Sequence, residues 1–223
     1  MSLSVSFYKP VDYFSGFFNR FVTWFTSGEY CHCDLVVHTT PTEVMNTVKH
    51  IYTDAQQNKY APEDAQRIIS QIELAFFDTA FRRKAQTCDE ITLAFSFLWG
   101  YPMNVRVLTE TAHDTWFKIP AETDGYASMV NVRNVDDEKV SDTLKFAIEE
   151  IGKTYDTSGA LCSWLPFGES SGTVARESYF CSEFVAMALQ RVGVLEQVVA
   201  SKTTPNGLYH HLMRLNVPEE NSH

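Results

Sequence analysis

Apolar residues near the start of the chain recur at helical spacing. Phe14, Phe17, Phe18, Phe21, Val22 and Phe25 fall at i, i+3, i+4, i+7, i+8 and i+11, with Asn19 and Arg20 opposite. The pattern predicts an amphipathic helix over 13–25 packed onto the core. A membrane-surface role is the weaker reading, because the polar face carries few lysines or arginines for anionic lipid. The run Cys31–His38, entered from Ser27-Gly28 and left at Thr39-Thr40-Pro41, reads as a strand. Its alternation puts His32, Asp34, Val36 and His38 on one face and Cys31, Cys33, Leu35 and Val37 on the other. Helical spacing then returns with Val44, Val48, Ile51, Tyr52 and Ala55 between Thr40 and about Asn58, and again from Pro62 to about Lys84. The two helices form an insertion over about 43–86, whose charged residues, such as Glu63, Asp64 and Arg67, make a solvated face.

Short β-rich segments follow at Ile91–Trp99, Asn104–Leu108, Thr115–Ile119 and Ser128–Val132, punctuated by Gly100, Pro102, Pro120 and Gly125. Such spacing predicts an antiparallel sheet. A helix is expected from Asp136 to Ile151, stopped by Gly152. The segment Phe167–Thr173 is either a lid or a plain solvent loop. Another helix starts at Cys181, with Phe184, Val185, Ala188, Leu189 and Val192 on its apolar face and Gly193 at its end. The last begins near Thr204-Pro205 and carries Leu208, Leu212 and Leu215.

Composition narrows the function. With 223 residues, 44% hydrophobic and 21% charged, the chain is expected to form one α+β domain spanning 1–223. Its net charge of −10 opposes a general nucleic-acid role, since phosphate neutralisation needs clustered basic residues and only 18 are scattered here. No stretch has the ~18 uninterrupted apolar residues of a membrane span, and the first residues lack the pattern of a secretory signal. Five cysteines, an odd number, point to free thiols in a reducing, cytoplasmic setting.

One of those cysteines has a helix address. In a first turn the outward N–H groups and the helix dipole favour thiolate, lowering a pKa of ~8.5 towards the catalytic range of about 3.5–7.5. Cys181 therefore needs a base. Of seven histidines, His50 falls on a predicted helix, His113 in a loop, His210 and His211 on the terminal helix and His223 at the chain end. Only His32 and His38 lie in a strand, the rigid setting that can hold a base against a helix N-terminus. A metal site at Cys31, His32 and Cys33 is disfavoured, because alternation turns the histidine away from both thiols and no second Cys-x-x-Cys completes it.

Four motifs in order bring a family into view. His32-Cys33-Asp34-Leu35-Val36-Val37, Gly152-Lys153-Thr154-Tyr155-Asp156, Tyr179-Phe180-Cys181-Ser182-Glu183-Phe184-Val185 and Thr204-Pro205-Asn206-Gly207-Leu208 resemble those of the circularly permuted, papain-like NlpC superfamily of YiiX-like and poxviral type. The resemblance spans residues 27 to 208 and implies a permuted papain-like fold with the histidine before the cysteine. It makes Cys181 the nucleophile and His32 the base of a cysteine hydrolase, a peptidase or amidase, that forms an acyl-enzyme and needs no cofactor. Lipid acyl hydrolysis or transfer is a further expectation, so the partner is a peptide, amide or acyl-lipid substrate. The residue orienting His32 stays open between Glu43 and Asp34, since residues two apart on a strand point in parallel. The backbone N–H of Cys181 or Ser182 is expected to hold the oxyanion. Glu183 reads as a complement to the helix dipole, and Tyr155 and Tyr179 as pocket or core. The competing function is a catalytically idle member of the fold kept for binding.

Overall fold

A computed structural model describes residues 1–10, 20, 22–24, 28–77, 79–98, 100–109, 119, 127–162 and 178–216. The predicted helix over 13–25, the strand Thr115–Ile119, the segment Phe167–Thr173, His113 and His223 lie wholly or mostly outside those residues. The fold is mixed α and β, a five-stranded antiparallel sheet with helices packed against it.

Strand β1, Ser2–Tyr8, was not expected, although its alternation is clean: Leu3, Val5 and Phe7 enter the main core, while Ser4, Ser6 and Tyr8 face the other way. It pairs with β2, His32–Thr39, on one side and β5, Ala127–Val132, on the other. β3, Ile91–Ser96, pairs with β2, and β4, Asn104–Leu108, closes the order β4-β3-β2-β1-β5. The strand that carries His32 is thus central. Cys33, Leu35 and Val37 point into the helix-covered core as alternation requires, leaving His32, Asp34, Val36 and His38 on the opposite face.

The helical segment between β2 and β3 is part of the main core. Helix α1, Pro41–Gln56, is capped by Thr40, whose side chain accepts from the Glu43 N–H, and it buries Val44, Val48, Ile51 and Ala55. The single helix expected over 62–84 is instead two, α2 at Pro62–Phe76 and α3 at Thr79–Thr87. The break has a packing reason. Phe76 and Phe81 meet edge to face at 5.2 Å, whereas five residues apart on one helix they would diverge by about 140°. Helix α4, Asp137–Glu149, is capped by Asp136 and packs against α1.

A short parallel pair, β6 at Thr154–Tyr155 and β7 at Ser178–Tyr179, brackets helix α5, Thr157–Cys162. Helix α6, Cys181–Arg191, lies on β2, and α7, Pro205–Asn216, packs against α6 and β5. Phe184 anchors α6: it is buried among Phe97 at 5.3 Å, Phe146 at 5.7 Å and Tyr179 at 6.4 Å. Loss of such a ring from a core costs about 3–5 kcal/mol. Among the described residues no helix is long and apolar enough to cross a membrane.

Two of the sequence motifs turn out to be structural fasteners near β2 and α6. Gly152 takes φ +85°, a left-handed turn open to glycine, and a Cβ there would meet the Gln71 side chain at 2.7 Å. Asp156 then accepts from Gly159 N at 2.7 Å and Ser158 Oγ at 3.0 Å. In the closing motif, buried Asn206 clamps the backbone just ahead of His32, accepting from Tyr30 N at 2.9 Å and donating to Tyr30 O at 2.8 Å. Asn206→Ala is expected to orphan both backbone groups and cost about 1–3 kcal/mol for each. A urea midpoint unchanged from wild type would refute that role.

Candidate active site

Cys181 opens α6 behind Phe180, an N-cap with no side-chain oxygen to offer, unlike Thr40 and Asp136 ahead of α1 and α4. The first helical bond is Phe184 N to Phe180 O at 3.1 Å, so the N–H groups of the turn before it project from the helix end. Cys181 thus sits in the turn where outward N–H groups and the positive end of the dipole favour negative charge. Ser182 ties the turn down by donating to Thr203 O at 2.6 Å.

His32 reaches the same sulfur, although Cys33 on the opposite face of β2 reaches it too. The register accounts for this. β3 ends at Ser96, one residue past the Leu35–Phe95 pair, so its ladder with β2 stops short of Cys33 and His32. Helix α6 packs on β2 with Cys181 as its first residue. Cys33, on the core side of β2, and His32, on the other, both act on the ionisation of the Cys181 thiol.

The groups shift one another's ionisation. The Cys33 hydrogen bond does most to hold the Cys181 pKa well below the usual thiol range; burial opposes it, and the charge and hydrogen bond of His32 add to it. Burial alone would lower the His32 pKa, but the Asp34 carboxylate and the Cys181 thiolate push it up to about 9. Cys33 moves the other way, raised by burial and by its bond to Cys181. The thiolate belongs on Cys181, which has an imidazolium and a helix start beside it; Cys33 has the apolar core and the negative charge of Asp34. These directions favour charge on Cys181 and His32 and a neutral Cys33.

Asp34, not Glu43, meets the histidine. His32 Nε2 lies 2.7 Å from Asp34 Oδ1 and 3.1 Å from Ser96 Oγ, which leaves Nδ1 for the sulfur. Parallel side chains two apart were expected to bond poorly, but a histidine leaning along its strand spans the gap. Glu43 sits beyond the far end of β2, about seven strand residues or ~23 Å from His32, in the first turn of α1. Glu43 is therefore not the orienting residue.

Burial raises the cost of ionising Asp34, yet the Arg106 guanidinium and His32 hold its carboxyl below the usual carboxylate range. Arg106 Nη2 donates to Asp34 Oδ2, with both side chains buried. The small residues Ala94 and Ser96 let it cross β3 from β4. The Tyr8 ring packs 5.7 Å from the imidazole, and burial raises its hydroxyl pKa. Charges alternate along the row, from thiolate to imidazolium to carboxylate to guanidinium.

Arg106, Ser96 and Cys33 escaped sequence reasoning. Arg106 and Ser96 sit on strands more than 60 residues from His32, and only Cys33 had a visible signal, its place inside the histidine motif. Tyr155 does lie beside the site, its pKa raised by burial and by the Cys181 charge, while Tyr179 belongs to the aromatic core under Lys153. Glu183 is buried in the first turn of α6. Of the other described histidines, His38 bonds Thr92 Oγ1 at 3.0 Å and Ser4 Oγ at 3.3 Å, and His50 pairs with Asp54 at 3.0 Å. His210 and His211 lie on α7. Cys31 donates its thiol to Tyr8 O at 3.3 Å. Among the described residues no three His, Cys, Asp or Glu side chains gather in a metal-binding group. No family model, curated protein or solved structure matches this chain.

Proposed function

We propose that the protein is a cysteine hydrolase of permuted papain-like, NlpC type, acting on an amide or ester carbonyl through Cys181 and His32. The observation that carries this reading is the pairing itself. A cysteine at a helix start and a strand histidine press each other's pKa in opposite directions, as an activated nucleophile and its acid–base partner require. Ser96 on the strand after the insertion is a polar residue where members of that superfamily place one against the histidine, and it supports the same assignment.

In the proposed reaction the Cys181 thiolate attacks the carbonyl carbon, and the N–H groups at the start of α6 receive the oxyanion. His32 gives its proton to the departing amine or alcohol as that bond breaks, leaving a thioester on Cys181. Water then attacks the thioester and gives a proton to His32. The acid product leaves, and the imidazolium–thiolate pair is restored. Asp34 and Arg106 take no proton; they keep the ring aimed and its positive charge compensated. Substrates are peptides, amides or acyl lipids, met in a reducing compartment where Cys31, Cys33, Cys88 and Cys181 stay free.

The rival reading, an idle binding protein, draws on burial: Cys181 is 5% and His32 4% exposed. One experiment separates the two. The protein is incubated with activated peptide esters and, separately, with short-chain phospholipids, then weighed intact. The hydrolase reading predicts an acyl adduct mapped to Cys181 and absent from Cys181→Ala, and the reactive series identifies the substrate class. If neither series acylates Cys181, and iodoacetamide labels it no faster than Cys88 near neutral pH, the protein is not a thiol hydrolase.

A further inference from the structure

Helix α6 carries Cys181 and strand β2 carries His32, and the two elements pack directly on each other. Burial of apolar surface is non-directional, so it resists their separation more than a small slide of the helix along the strand. Hydrogen bonds are directional, and three of them tie both elements to one further segment. Ser182, the residue after Cys181, donates its hydroxyl to Thr203 O at 2.6 Å. Three residues on, the Asn206 amide accepts from Tyr30 N at 2.9 Å and donates to Tyr30 O at 2.8 Å, two residues ahead of His32. Ser182, Thr203, Asn206 and Tyr30 are all buried, which shields these bonds from water.

The bridging segment is itself held stiffly. Thr203 N donates to Ala200 O at 3.1 Å, and the Thr203 hydroxyl donates to Val199 O at 2.9 Å. Thr204 Oγ1 accepts from Gly207 N at 3.1 Å, and Pro205, the first residue of α7, has its φ fixed by its ring. Room for the amide is kept from the other side as well. A Cβ at Gly28 would stand 2.0 Å from Asn206 Cγ and 2.2 Å from its Oδ1, so a side chain there would displace the amide from Tyr30.

We propose that segment 203–206 is a positioning clasp, which holds Ser182 at one end and the Tyr30 backbone at the other and so sets where Cys181 sits along β2 relative to His32. Ser182 and Asn206 are then positioning residues that act through the nucleophile and its base. The clasp's role in reactivity rests on the hydrolase reading of that pair. At a reacting site a displacement of about 1 Å can cost about a hundredfold in rate, so a clasp of this kind bears on chemistry beyond its share of stability.

The test follows iodoacetamide labelling of Cys181 against pH, with Cys88 as the internal reference, in wild type, Ser182→Ala and Gly28→Ala. Ser182→Ala opens one end of the clasp, and Gly28→Ala pushes the amide off Tyr30 while leaving Asn206 in the chain. Each variant is expected to label Cys181 about tenfold more slowly than wild type near neutral pH and at the wild-type rate above about pH 9.5, where an ordinary thiol ionises without help. That split marks a loss of thiolate, which weaker fastening of the fold alone would not produce. A variant that is less stable in urea but keeps the wild-type labelling profile, or changes it equally at every pH, overturns the clasp and leaves the hydrolase reading standing. Wild-type Cys181 labelled no faster than Cys88 near neutral pH overturns the hydrolase reading, and the clasp's role in reactivity falls with it. The two substitutions act at opposite ends of the segment, so a wild-type profile in either folded variant is enough to reject the proposal.

Discussion

His32→Ala is expected to slow acyl transfer at Cys181 by roughly a hundred- to ten-thousand-fold, the range for loss of a positioned general acid–base group. Two contributions vanish together. The thiolate loses the imidazolium that helps hold its pKa down, and the leaving group loses its proton donor. Cys33 also lowers the Cys181 pKa, so Cys181 keeps part of its nucleophilic character. Iodoacetamide separates these effects, since alkylation needs the thiolate and no proton donor. A modest fall in labelling with a large fall in turnover is the expected pattern; unchanged rates for both would remove His32 from the chemistry.

The pH profile follows from the same pair. With His32 pushed up to about 9, the wild-type protein should hold its imidazolium through neutrality and lose acyl turnover as pH rises past about 9. Stability moves in the same direction. The charged ring favours the folded state fully below its free value of about 6.5, and that contribution is lost as pH rises through about 9. Asp34, whose pKa is depressed, contributes above about 3.9, and its share is lost as pH falls below that.

Asp34→Ala is the change with the largest expected effect on the fold, about 3–5 kcal/mol, because it removes one partner of a buried ion pair while the Arg106 guanidinium stays buried. The cost arises from breaking the pair on one side alone, so it should be repairable. A double variant, Asp34→Leu with Arg106→Met, replaces the pair by apolar side chains and is expected to recover most of the loss in chemical denaturation. Turnover should stay low in the double variant, since His32 then lacks the carboxylate that orients its ring. Recovered stability with recovered turnover would show that the carboxylate has no part in the site. An Asp34→Ala protein as stable as wild type would contradict the buried pair itself.

Much of the fold was legible in the chain because it rests on short-range pattern. Alternation over His32–Thr39 placed the strand and its two faces, and the apolar spacing after Cys181 together with Gly193, at φ +80°, bounded α6. Pattern also held what was overlooked: Leu3, Val5 and Phe7 alternate as plainly as any segment, yet β1 was not expected. The break between α2 and α3 is different in kind. It exists to let Phe76 meet Phe81, a contact no helical periodicity announces.

The site divides along the same line. Local sequence alone supplied a cysteine in a helical first turn, a strand histidine and an aspartate two residues on, since each depends on residues within a few positions. Tertiary structure alone decided that Asp34 and not Glu43 meets His32, because the strand carries Glu43 ~23 Å away. It also decided that Arg106 compensates Asp34 across the small residues of β3, and that Cys33 and His32, on opposite faces of β2, both act on the ionisation of Cys181. That last arrangement depends on where β3 ends relative to β2, a register between segments more than fifty residues apart, set by the packing of the whole sheet.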